Sequence, residues 1–238
     1  MKIAKLLNSF VLLFISIFCV TEAHAMTSEF DTKEQAIIPI AAHAAAGEID
    51  QLQASLNAGL DAGLTVNEIK EVLVQLYAYT GFPRSLNALG TFMKVLEERK
   101  SKGINDTEGE AGKPIPAGKS SLEIGGANQT KLVGREVKGA LFDFAPAIDE
   151  YLKAHLFGDI FERGVLSWKQ REVATIAALA NMQGVNSQLG AHYFISMNNG
   201  ITPEQLKSFV GLMKKACGDD VAANAEQVLE QALAAAKK

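Results

Sequence analysis

Two polar residues in the second half of the chain have the types and spacing of a proton-transfer pair. We expect Glu172 and His192 on consecutive helices joined by a turn near residues 183–184. At about 1.5 Å rise per residue, Glu172 lies ~16 Å and His192 ~12 Å from this turn, within one helical turn of each other. The carboxylate then orients one ring nitrogen and leaves the other to move a proton. The alternative is a purely structural contact of Glu172 with His192 or with Arg171.

A degenerate internal repeat indicates that both halves of the chain contribute to one site. Residues 63–69 (GLTVNEI) align with residues 200–206 (GITPEQL), and so long a separation indicates a duplicated domain, not a solenoid unit. The two copies retain different polar side chains. Copy two has Glu172 and His192 where copy one has Ala36 and Ser55. Copy one has Glu71, Gln75 and Tyr79 where copy two has Ser208, Leu212 and Ala216. This reciprocal pattern predicts a composite site, in which copy one supplies Glu71, Gln75 and Tyr79.

The elements that must position these residues are helices with recognisable N-termini. Each copy has two capping-box signals, in which Ser, Thr or Asp is followed three residues later by Glu or Gln. These signals begin at Asp31, Thr65, Ser167 and Thr202. Apolar residues follow helical periodicity and no period-2 strand pattern occurs, so we predict an all-α fold of duplicated helical hairpins.

Composition divides the chain into four segments. A basic start, an apolar run and Ala23-His24-Ala25 have the form of a secretory signal with its cleavage site. Further along, a stretch rich in Gly, Lys, Pro and Ser has few apolar residues, which is typical of a linker that is partly disordered or lies over the surface. The predicted segments are a signal peptide (1–25), a first domain (26–98), a linker (99–139) and a second domain (140–238).

Charge and cysteine content exclude several functions. Removal of the signal changes the net charge from −4 to −5, which favours neither nucleic acid nor an anionic membrane surface. Only Cys217 then remains, so no intramolecular disulfide is possible. One Glu and one His also fall short of the three ligands usual for catalytic zinc. We expect a periplasmic or secreted protein that acts on a small molecule and uses no metal or other cofactor.

The chain resembles the carboxymuconolactone decarboxylase family, which also contains the alkyl hydroperoxidase D-type proteins. In copy two the resemblance rests on Arg171-Glu172, His192 and residues 200–202. In copy one it rests on residues 63–65, Glu68, Glu71, Gln75, Tyr79, Gly81, Pro83 and Asn87. It covers roughly residues 30–98 and 140–233. The resemblance implies helical domains that assemble into homo-oligomers, here trimers of the two-domain chain.

The resemblance also implies cofactor-free lyase chemistry on a small carboxylated lactone or a related cyclic acid. His192 is then the general acid or base, and Glu172 is its orienting partner or a second proton carrier. The substrate-binding residues are Arg171, Glu71, Gln75 and Tyr79, although Arg171 is equally suited to pairing with an acidic neighbour.

Two other functions remain open at this stage. The peroxidase branch of the family has a Cys-x-x-Cys motif shortly before the histidine, but Val185 and Gln188 occupy those positions here. A peroxidatic cycle needs a thiolate, so this antioxidant function is disfavoured. The second alternative is an exported, non-catalytic oligomer that binds a small ligand. His43, within an alanine-rich helix, is expected to be a structural histidine rather than a ligand.

Overall fold

The computed structural model describes residues 29–236, and every regular element in this range is helical. The predicted signal peptide therefore lies outside the described residues. The predicted second domain contains a π-helix (Leu152–Ile160) and a 3₁₀ turn (Phe161–Arg163). The α-helices are α1 (Thr32–Ala46), α2 (Ile49–Asp61), α3 (Val66–Ser101), α4 (Ser121–Val133), α5 (Ala140–Phe144), α6 (Pro146–Tyr151), α7 (Trp168–Ala180), α8 (Asn186–Asn198), α9 (Pro203–Cys217) and α10 (Asp219–Ala236). The all-α prediction is confirmed. Among these residues, no helix is both long and apolar enough to span a bilayer.

All four predicted capping boxes begin helices. Asp31, Thr65, Ser167 and Thr202 each accept a hydrogen bond from the backbone amide three residues on, and the Glu or Gln at that position bonds back to the cap. These reciprocal bonds satisfy backbone amides that have no partner within the helix. A fifth box at Ser120 starts α4.

Helix α3 contains a sharp reversal at Gly81. Its φ of 77° lies in the region that glycine adopts without steric cost, and Pro83 follows it. The Ser85 hydroxyl donates to the Leu73 carbonyl at 2.7 Å, which shows that the two helical segments fold back against each other. This reversal sets the end of the segment that carries Tyr79.

The two copies share one hydrophobic core. Helices α1 and α7, the first helices of the two copies, pack against each other, while α3 packs on α7 and α9 packs on α1. The third helix of each copy thus covers the first helix of the other copy. Alanines at this contact, such as Ala41 and Ala177, are fully buried and permit close approach. The copies therefore form one pseudo-symmetric unit.

The segment predicted as a linker differs from the expectation in one respect. Residues 121–133 form α4, which packs along the π-helix and buries Ile124 and Leu132. Together with Phe157 and Ile195, Leu132 belongs to a small satellite core. Sequence patterning missed this helix because much of its contact is made through glycine backbone, not through large apolar side chains.

Gly125 of α4 gives a direct test of this packing. A Cβ atom on Gly125 would lie 1.6 Å from the Lys153 carbonyl oxygen, whereas one on Gly126 meets nothing within 4 Å. We expect Gly125→Ala to destabilise the contact by about 1–3 kcal/mol and to speed amide exchange across α4 and the π-helix. Gly126→Ala, with the same gain in helix propensity, should be neutral or slightly stabilising. Equal behaviour of the two variants would show that the helices do not approach this closely.

Candidate active site

The Glu172 and His192 side chains meet inside the α7–α8 hairpin. His192 Nδ1 lies 2.8 Å from Glu172 Oε2, as the spacing from the turn predicts. Glu172 is 0 % exposed and His192 is 9 % exposed. An ionised carboxylate only accepts hydrogen bonds, so Nδ1 carries the hydrogen and Nε2 is left for chemistry. Glu172 Oε1 has no hydrogen-bond partner among the described residues.

Tyr79 of copy one lies directly beside this pair. Its ring packs edge-on against the His192 ring, with the centroids 5.8 Å apart. The hydroxyl is buried and has no partner with regular hydrogen-bond geometry in the described part of the chain, although the Thr175 hydroxyl lies near it and acts to lower the pKa of the phenol. Burial, and secondarily the charge of Glu172, raise the pKa of the Tyr79 phenol. The hydroxyl is therefore neutral and retains a hydrogen to donate. Glu172, whose charge contributes to this shift, provides a second polar atom with free hydrogen-bonding capacity, its Oε1.

Arg171 points away from the pair and into the interface between the copies. Its side chain is fully buried, and Nη2 donates to Glu71 Oε1 at 3.0 Å and to the Gly164 carbonyl at 2.8 Å. Nη1 donates to Gln75 Oε1 at 3.0 Å. Burial lowers the pKa of the guanidinium, and the Glu71 carboxylate opposes that shift. Arg171 is thus a paired structural cation.

Gln75 completes this network from the side of α3. Its amide nitrogen donates to the Arg171 carbonyl and to the Thr175 hydroxyl, both at 2.9 Å. Glu71 additionally accepts from Arg163 Nε at 2.9 Å. The network therefore fastens α3, which carries Tyr79, to α7, which carries Glu172.

The six predicted site residues thus fall into two groups. Glu172, His192 and Tyr79 come together, whereas Arg171, Glu71 and Gln75 bond to one another. Direct substrate binding by the second group, which the sequence predicted, would require these contacts to break. Sequence analysis missed Thr175 and Arg163. Thr175 follows Arg171 by one helical turn, which is a usable signal, but nothing in the sequence marks Arg163.

Within residues 29–236, the thiol chemistry of the peroxidase branch has no counterpart near His192. Val185 and Gln188, at the start of α8, occupy the family's cysteine positions. Cys217 is the free cysteine of the described residues, and burial, with the charge of Glu48, raises its pKa to about 11. The thiol is therefore protonated near neutral pH, whereas the thiolate is the reactive form. Between residues 29 and 236, no cluster of three His, Cys, Asp or Glu side chains is arranged to hold a metal ion.

Comparison with known families agrees with this architecture. The sequence profile of the carboxymuconolactone decarboxylase family matches residues 18–92 and again residues 146–231. The chain belongs to this family, with one match on each copy of the repeat. Membership of this family indicates that the protein is decarboxylase-like or alkyl hydroperoxidase D-like. No curated protein matches the chain.

The buried network makes a prediction about stability. Glu71→Ala leaves the Arg171 guanidinium buried without its carboxylate, which should lower the free energy of unfolding by about 3–5 kcal/mol. Glu108, on the surface, pairs with Lys70 at 3.0 Å. Glu108→Ala should cost less than about 1 kcal/mol, because water screens that pair. Both values are measurable by urea denaturation. A Glu71→Ala variant as stable as Glu108→Ala would contradict the role assigned to the network.

Proposed function

We propose that this protein is a cofactor-free lyase that removes CO₂ from a small carboxylated lactone or a related cyclic acid. The observation that carries the proposal is the 2.8 Å contact between buried Glu172 and His192, which leaves one imidazole nitrogen for proton transfer. Membership of the decarboxylase family supports the same reaction class.

The proposed reaction assigns a role to each group around His192. Loss of CO₂ breaks a carbon–carbon bond, and its electron pair remains on the substrate as an enolate. The His192 imidazolium then delivers its Nε2 proton to the carbanionic carbon, and Glu172 stabilises the imidazolium through Nδ1. The neutral Tyr79 hydroxyl donates a hydrogen bond to the enolate oxygen. The imidazole recovers its proton from solvent.

In this proposal Arg171, Glu71 and Gln75 position the catalytic groups. Their bonds hold α3 against α7, so that Tyr79 remains against the His192 ring. His192 is nearly closed off in the single chain, and the satellite core packs against Tyr79. Substrate entry therefore requires side chains next to Tyr79 to move.

We also propose that the protein works as an exported homo-oligomer, a trimer in keeping with the family resemblance. The pattern of residues 1–25 supports export. The second segment of α3 supports assembly, because Phe82, Leu86 and Met93 are well exposed on it and large exposed apolar side chains mark contact surfaces.

Site variants test the proposed chemistry directly. We expect His192→Ala to lower kcat by about 10²–10⁴-fold, the usual contribution of a positioned acid or base. Tyr79→Phe should lower kcat with little effect on unfolding, since it removes only the phenol hydroxyl and keeps the ring against His192. Ser55→Ala, at the position matching His192 in copy one, serves as the control and should leave kcat unchanged. The measurement is CO₂ release from a panel of carboxylated lactones, with circular dichroism to check folding. Full activity of His192→Ala would rule out the proposed proton transfer.

A cysteine variant separates the lyase from a thiol-dependent peroxidase. Cys217→Ser should leave CO₂ release unchanged, because the thiol belongs to α9 and is not part of the Glu172–His192 pair. Peroxide consumption in the presence of a dithiol should be absent from both proteins. Peroxide turnover that disappears in Cys217→Ser would instead favour the redox function.

A further inference from the structure

The counterpart of the candidate active site in copy one is an open groove. It lies between α1, α2 and α9 and has a volume of about 620 Å³, within the range of roughly 300–1,000 Å³ that is usual for small-molecule sites. Its walls include the residues matched in sequence to the candidate site, namely Ala36, Ser55, Leu212 and Ala216. Alanine and serine leave space where copy two has a carboxylate and an imidazole.

One end of this groove is held together by His43. Its Nδ1 lies 3.0 Å from the Ser55 hydroxyl and its Nε2 lies 3.2 Å from the Ala216 carbonyl oxygen. A carbonyl only accepts, so Nε2 carries a hydrogen, and the imidazole ties α1 to both α2 and α9. This geometry agrees with the structural role expected for His43. The walls are therefore preformed, which reduces the conformational cost of binding.

The rest of the lining combines a strip of alanines with three neutral polar residues and one charged residue. The neutral polar residues are Thr32, Gln35 and Gln51. Ala54 and Ala58 of α2 and Ala62, which caps the end of that helix, follow each other at intervals of four residues and make a strip about 12 Å long. Lys215 is the only Lys, Arg, Asp or Glu among the lining residues. It lies in the last turn of α9, next to Ala216, whose carbonyl bonds to His43, and this places the residue at the His43 end of the groove. Glu48, 3.9 Å from His43 Nε2, does not line the groove.

We propose that this groove binds a medium-chain carboxylic acid, with the alkyl chain along the alanine strip and the carboxylate paired with Lys215. A linear apolar wall with a cation at one end matches a linear chain with an anionic head. The groove contains no counterpart of Glu172 or His192, so copy one binds this ligand without converting it. The inference is independent of the lyase activity proposed for copy two.

Calorimetric titration of the full chain with octanoate tests this assignment. We expect saturable binding of one octanoate per chain. Ala58→Phe fills the middle of the strip from an exposed helical position and should abolish binding. Ala223→Phe, at an exposed position of α10, controls for added bulk and should bind normally. His192→Ala should also bind normally, whatever its effect on CO₂ release. No saturable binding, or undiminished binding by Ala58→Phe, would overturn the proposal.

Two adjacent lysines test how the head group is recognised. Lys215→Met should weaken octanoate binding by up to about fivefold, the effect of one exposed ion pair, and should leave binding of uncharged octanamide unchanged. Lys214 pairs with Asp219 at 2.8 Å and does not line the groove, so Lys214→Met should change neither. Equal octanoate affinities for the two variants would overturn the carboxylate assignment. If octanoate fails to bind and Ala58→Phe dissociates an oligomer, the groove is instead an interface between copies.

Discussion

The contact on which the rest of the structure depends is the buried pairing of Arg171 with Glu71. It joins α7 of copy two to α3 of copy one at 3.0 Å, and both side chains are buried. A buried charge is costly unless it is paired, so the two helices have one favourable placement relative to each other. Gln75 stabilises the same placement, because it donates a hydrogen bond to the Arg171 carbonyl and accepts one from the Arg171 guanidinium. The position of Tyr79 against His192 follows from this placement.

Contacts of the third helix of each copy with the first helix of the other copy create two related sites in one core. Both sites sit between the hairpin of one copy and the third helix of the other, but they have diverged in opposite ways. The site of copy two is closed around a carboxylate, an imidazole and a phenol. The site of copy one has lost these groups and is open, with His43 fastening its walls. Duplication thus allowed one position to keep polar chemistry while the other became an apolar groove.

Family membership limits the reactions that are expected of this protein, but it does not identify the substrate. The family resemblance includes thiol-dependent proteins, but this chain has Val185 and Gln188 at the relevant positions, and burial raises the pKa of the Cys217 thiol to about 11. The polar groups retained beside His192 are instead suited to proton transfer and to stabilising an oxyanion. These are the groups that the proposed decarboxylation requires.

The sequence by itself determined the four capping boxes, the helices that follow them, the duplication and the meeting of Glu172 with His192. These features depend on contacts between residues that are close in sequence, or on how far each residue lies from the turn of one helical hairpin. Periodicity and local hydrogen bonding therefore specify them. Only the tertiary structure decided that Arg171 turns to Glu71, because these residues are 100 positions apart and their pairing depends on how α3 packs on α7. It likewise decided that α4 forms a packed helix, since Gly125 contacts another backbone and leaves no apolar pattern. The groove of copy one also required the structure, because a cavity arises from side chains that are small relative to the space between helices.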